Sequence, residues 1–90
     1  MLYMTIFTYE PDKRNEVMKR RLEKGPMIPQ GMQVIGEWSA LSGGRVFRLV
    51  RVENPIAAMA AVGAWSDLGK YEIVPVIESE EALRHHSPGA

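Results

Sequence analysis

Glu37, Ser39 and Arg48 are the residues of this chain best suited to carry chemistry. They stand in residues 31–53, GMQVIGEWSALSGGRVFRLVRVE, which read as two strands turned back through Gly43-Gly44. A Gly-Gly pair supplies the positive φ angles that a two-residue hairpin turn demands. With those two residues as the loop, Ser42 opposes Arg45, Trp38 opposes Leu49 and Glu37 opposes Val50. Arg48 then lies opposite Ser39 and diagonal to Glu37, within reach of a long side chain. The three form a polar island among Ile35, Leu41, Val46, Val50 and Val52. A guanidinium in such a place can orient an anion or enolate while the carboxylate accepts a proton. The same residues can equally be a structural ion pair or an interface contact, because buried charges must be paired.

Further candidates lie on the first and last strands. Tyr3, Thr5, Phe7 and Tyr9 alternate with the purely apolar Leu2, Met4 and Ile6. If the apolar set faces the helices, the aromatic and hydroxyl set lines the same cavity as Glu37 and Arg48. There it would hold a small organic ligand, with a tyrosine such as Tyr9 as proton donor, or would simply pack. Tyr71 and Glu72 open the last strand and are expected at the cavity mouth. Trp38 and Trp65 read as core anchors between sheet and helices. His85 and His86 are the only histidines, and as neighbours in the tail they make a poor metal pair. No metal and no cofactor is expected. Ser-His-Asp and phosphate-loop patterns are absent.

These residues need a scaffold, and the chain supplies one in the order β-α-β-β-α-β. Residues 2–9 form a strand, and Pro11 opens a helix to about residue 24 that Gly25-Pro26 ends. Its apolar stripe is thin, Val17, Met18 and Leu22. After the hairpin, Asn54-Pro55 starts a second helix running to about residue 65, an N-cap followed by proline at the first helical position. Ile56, Met59, Ala60, Val62 and Gly63 are expected to pack on the sheet, with Gly36 giving that helix room. Residues 71–78 form the last strand, and Pro75 points to a sheet edge. Residues 79–90 read as a short helix or loose tail. The fold class is α+β, a ferredoxin-like split βαβ with a four-stranded antiparallel sheet whose first and third strands are central. One domain over residues 1–80 carries the tail 81–90.

The hairpin has a second consequence. Its other face carries Val34, Gly36, Trp38, Ala40, Phe47 and Leu49, so both faces are largely apolar and both expect a cover. Helices can supply one cover, and a second subunit is the natural source of the other.

The totals narrow the function. Ninety residues with eleven basic and eleven acidic side chains carry a formal net charge of zero. Nucleic-acid and anionic-membrane surfaces both call for a basic excess, so neither partner is expected. With no cysteine, disulfides and thiolate chemistry are excluded. The N-terminal MLYMTIFTYE lacks the basic start and cleavage site of a signal peptide. No apolar run approaches the roughly 20 residues that cross a bilayer, and the expected location is cytoplasmic.

Several motifs together carry a resemblance. The MLYM first strand with its proline-started helix, G-x-W at Gly36 and Trp38, G-G-R-x-F from Gly43 to Phe47, and W-S-D-L-x-x-Y-E-I-V-P-V from Trp65 resemble a group of short, uncharacterised bacterial proteins. That group is similar to the dimeric α/β-barrel superfamily. The resemblance covers about the first eighty residues and implies a homodimer in which two ferredoxin-like subunits lay sheet on sheet. It also implies a function among cofactor-independent oxygenases, lactone isomerases, haem-degrading enzymes and plain ligand-binding proteins, a range that fold alone does not narrow. The lack of a histidine in the folded body disfavours the haem-degrading members. On the enzymatic reading Arg48 holds an anionic group, Glu37 or Tyr9 moves a proton, and Tyr3 and Phe7 shape the pocket. Thr5, Ser39, Tyr71 and Glu72 complete the expected ligand contacts. On the alternative reading the chain is a non-catalytic binding or interaction module.

Overall fold

The computed structural model describes residues 1–86, so residues 87–90 of the expected tail lie outside the described residues. Four strands, β1 (Leu2–Thr8), β2 (Met32–Ser39), β3 (Arg45–Val52) and β4 (Lys70–Pro75), form one antiparallel sheet in the order β2-β3-β1-β4. The first and third strands are central, and Pro75, without an N–H to donate, ends an edge strand. Helices α1 (Arg14–Lys24) and α2 (Pro55–Gly63) follow β1 and β3, and a short α3 (Ser79–Arg84) follows β4. The βαββαβ order is therefore the ferredoxin-like one.

The helix boundaries follow the local chemistry. Pro11 opens a single 3-10 turn, Pro11–Lys13, that leads into α1. Gly25 stops α1 with φ +69°, and its N–H bonds back to Arg21 O at 2.9 Å. The Asn54 side chain caps α2 by accepting from the Ala57 N–H at 3.1 Å, and Pro55 takes the first helical position.

The hairpin differs from the two-residue expectation. Ala40 N–H donates to Arg45 O and Gly43 N–H to Ala40 O, each at 2.9 Å, so the loop is residues 41–44. Gly43 and Gly44 do take positive φ, +81° and +83°. The longer loop shifts the pairing by two residues. Glu37 now opposes Arg48, Trp38 opposes Phe47 and Ser39 opposes Val46. A shift of two preserves which residues share a face, so Glu37, Ser39 and Arg48 stay together. Beyond Gly36 the parity changes. Val34 pairs with Val50 while Gly36 pairs with Leu49, leaving Ile35 as a bulged extra residue. The bulge moves Val34 and Met32 onto the face of Val50 and Val52, where they join that cluster.

The larger correction concerns which face the helices cover. The buried strand residues, Thr5, Phe7, Arg48, Val50 and Val52, all lie on one face, together with Tyr9 just beyond β1. Leu2, Met4 and Ile6, expected beneath the helices, are on the opposite face with Phe47 and Leu49, and none of these five is fully buried. Trp38 is also there, 55% exposed, and is no core anchor. Gly36 gives room not to α2 but to this indole, since a Cβ there would stand 2.6 Å from Trp38 Cη2.

Two clusters make up the core between helices and sheet. Phe7, Tyr9, Val17, Trp65 and Leu68 form one; Val50, Val52 and Ala57 form the other. Helix α2 is rotated from the expected orientation. Ala57 and Ala61 face the sheet, while Ile56 and Met59 are 71% and 69% exposed. Small alanines at i and i+4 let the helix lie close on Val50 and Val52, and an isoleucine or methionine there would hold it off. On α1, Val17 is buried and Leu22 is exposed. Among the described residues no helix is long and apolar enough to cross a membrane.

Candidate functional site

The strands, α1 and the turn after α2 line a half-open cavity of about 160 Å³. Its floor is Thr5, Phe7, Val46 and Arg48, its roof Val17, Met18 and Arg21, and Trp65 and Tyr71 close the sides. A smaller pocket under α2 shares Thr5, Arg48 and Tyr71 with it, so Arg48 sits where the two meet.

Arg48 is 7% exposed on a central strand, and its cross-strand partner is Glu37. Nε and Nη2 of Arg48 approach Glu37 Oε2 at 2.8 and 2.6 Å. A second guanidinium comes down from α1: Arg21 Nη2 lies 3.0 Å from Oε1 and Nη1 donates to Oε2 at 3.2 Å. Two cations therefore converge on one carboxylate. Sequence reasoning found Glu37 and Arg48 but missed Arg21. The signal was available, since Arg21 stands next to Leu22 and four residues after Val17 on the helix that must cross the sheet.

Burial pushes the Glu37 carboxyl up, but the hydrogen bonds and charges of Arg48 and Arg21 outweigh it and hold the pKa below the usual carboxylate range. Burial raises the Tyr71 phenol, opposed by the Arg48 charge, so it stays protonated well past neutrality. A depressed carboxylate pKa in the folded state means that the unfolded chain takes up the proton first. Glu37 thus stabilises the fold above the ordinary carboxylate pKa, and this contribution is lost as pH falls through its lower folded value. In acid titrations followed by circular dichroism, Glu37→Gln should flatten the loss of stability below about pH 4.5, the ordinary value for this group. An unchanged acid limb would mean that the triad is not formed in solution.

The other expected site residues divide. Thr5, Phe7, Ser39 and Tyr71 line the larger cavity, and Tyr3 lines the smaller pocket. Thr5 is oriented by donating its hydroxyl to Arg48 O at 3.2 Å. All of them lie on the helix side, not on the side facing away from the helices. Tyr9 packs in the core against Phe7, ring centroids 5.8 Å apart, and does not line the cavity. Glu72 pairs with Ile6 on the opposite face, away from Glu37 and Arg48. His85 and His86 are exposed beyond α3, and among the described residues no group of three or more His, Asp or Glu side chains is placed to hold a metal.

The closing motif acquires a physical meaning here. Trp65 and Leu68 are buried in the core. Asp67 receives both terminal nitrogens of Arg20 at 2.7 Å, and Arg20 Nη1 also reaches Ala64 O at 2.9 Å, tying α1 to the turn after α2. Gly69 admits the chain beside Thr8 O and the Phe7 ring, where a Cβ would collide with both. Tyr71 then arrives in the cavity wall. The sequence profile of a domain of unknown function, DUF3303, matches residues 1–90. The chain belongs to the DUF3303 family. No curated protein and no solved structure matches it. In this DUF3303 domain Trp65 lines the cavity, while its indole N–H is buried without a hydrogen-bond acceptor, a costly state for a core donor.

Proposed function

We propose that this protein is a homodimeric, cofactor-independent binding protein for a small organic molecule, which it takes up between its sheet and α1. The observation that carries this reading is the cavity of about 160 Å³ in which aromatic walls meet a buried guanidinium. Ligand sites are typically apolar concavities with a few convergent polar groups. A cavity near 150 Å³ is large enough for a molecule of benzene size.

Binding is favoured over transformation by the protonation states. Glu37, held low by two guanidiniums, is a counter-ion and a weak general base, and Tyr71 remains a neutral phenol that can donate a hydrogen bond. An oxygenase or isomerase would need a base tuned toward neutrality, and no group lining the cavity supplies one.

The dimer is argued from the sheet face opposite the helices. Gly36, Leu49, Met4 and Val74 make one cross-strand row, and Trp38, Phe47, Ile6 and Glu72 the next. Six of these eight positions carry large apolar side chains, a patch of the kind that marks an interaction surface. Arg45 and Arg51 share this face with Glu72, so a second copy turned about a two-fold axis could bring opposite charges together at the rim. This pairing is the sheet-on-sheet arrangement of the dimeric α/β barrels.

Native mass spectrometry on freshly purified protein tests both parts. The expected spectrum is a dimer carrying an adduct of small-molecule mass that is lost on denaturation. A monomer would remove the dimer, and a bare protein that takes up no compound from a library of small organic molecules would remove the binding role.

A further inference from the structure

We infer that the cavity selects a small organic monoanion, a carboxylate attached to a body of about one ring; this rests on the binding role proposed above. The argument begins with charge. Arg48 and Arg21 bring two positive charges to the cavity, and Glu37 is the one acidic side chain among its lining residues. Tyr71 is neutral. The site therefore holds one uncompensated positive charge beside aromatic and aliphatic walls. In a partly desolvated setting such an excess attracts an anion far more strongly than it would in water.

Geometry indicates where the anion sits. Arg48 meets Glu37 through Nε and Nη2, so its Nη1 is not committed to that carboxylate. A guanidinium has five donors in a planar fork, a shape that suits a second carboxylate. Trp65 and Tyr71 stand in the walls of the same space. Phe7 and Val17 then take the apolar body. The cavity volume accommodates a body of about the size of benzene.

Glu37 has a definite part in this arrangement. It competes with the ligand for the two guanidiniums and keeps them ordered while the site is empty. Removing its charge while keeping its shape should therefore improve binding of an anion, the opposite of what a catalytic or purely structural carboxylate would do.

The two tryptophans make the test direct, because Trp65 lines the cavity and Trp38 lies on the other side of the sheet. Benzoate and its neutral isostere benzamide are titrated into the ¹⁵N-labelled full chain, and the two indole resonances are followed. Benzoate is expected to shift the Trp65 indole signal, to leave that of Trp38 in place, and to bind about tenfold tighter than benzamide. Glu37→Gln should tighten benzoate by about tenfold more and so widen its preference over benzamide by a similar factor. Equal affinities for the two probes, or weaker benzoate binding by Glu37→Gln, would overturn the anion assignment while leaving a ligand site. Absence of any Trp65 shift with either probe, in wild type and variant alike, would overturn the assignment and the binding role together.

Discussion

Replacing Arg48 by alanine should weaken ligand binding about a hundredfold, cost about 1–3 kcal/mol of stability, and leave the proposed dimer intact. The stability figure follows from the partners left behind. Breaking a fully buried ion pair costs about 3–5 kcal/mol because one charge is stranded. Here Glu37 keeps about a quarter of its side-chain surface in water and retains Arg21 at 3.0 Å, so the penalty is smaller. Binding suffers more, because Arg48 stands where the two pockets meet and supplies the guanidinium least able to move away. A loss of about a hundredfold in affinity is expected, with Arg48→Met, which keeps much of the packed stem, losing binding but little stability. Denaturant melts and titrations separate the two effects. The proposed dimer should be unaffected, because Arg48 points to the helices, on the far side of the sheet from Leu49 and Phe47. If Arg48→Ala dissociates the dimer while binding survives, the assignment of the two faces is wrong.

How much of this was legible in the residues can be traced position by position. The element order, the central and edge strands and the caps at Gly25 and Asn54 were readable because each has a local cause: a positive φ, a side-chain oxygen facing a free N–H, a proline without one. Alternation also kept Glu37, Ser39, Val46 and Val50 on the face of Arg48. It failed at Leu41, which stands in the longer loop and is fully exposed. It failed too at Val34 and Ile35, because nothing in the run Gln33-Val34-Ile35-Gly36 distinguishes a bulge from a continuous strand.

Alternation could not say which face the helices cover. With Leu2, Met4 and Ile6 on one side and Tyr3, Thr5 and Phe7 on the other, both sides are apolar enough to be buried. The choice is made by the handedness of the β-α-β crossover and by helix packing, neither of which is a property of the strand's own residues. The phase of α2 was misread for a related reason. Hydrophobic size suggested Ile56 and Met59, but close packing on Val50 and Val52 selected Ala57 and Ala61. The third member of the charge cluster, Arg21, is marked by its spacing from Val17, but only the placement of α1 across the sheet brings it to Glu37.

The neighbouring residue provides the complementary test. Leu49 follows Arg48 on the same central strand and points the other way, between Gly36 and Met4 in the cross-strand row. Leu49→Asp should convert the dimer to a monomer and leave ligand binding within about twofold. Two-fold symmetry places the substitution in the interface twice, and each unpaired carboxylate buried there costs about 2 kcal/mol or more. Together they raise the dimer dissociation constant by about a thousandfold or more. The monomer itself should fold, because in a single chain Leu49 is only half-buried and an aspartate there can reach water. Sedimentation equilibrium measures the dissociation, and the Trp38 indole signal should move with it while that of Trp65 stays in place. If the dimer persists, the apolar face is not the interface. If the variant fails to fold at all, Leu49→Ser, which brings no charge, should still weaken association measurably. A folded Leu49→Ser dimer of undiminished affinity would exclude the sheet-on-sheet arrangement. Two adjacent residues, one for each side of the sheet, thus test the proposed ligand site and the proposed interface separately.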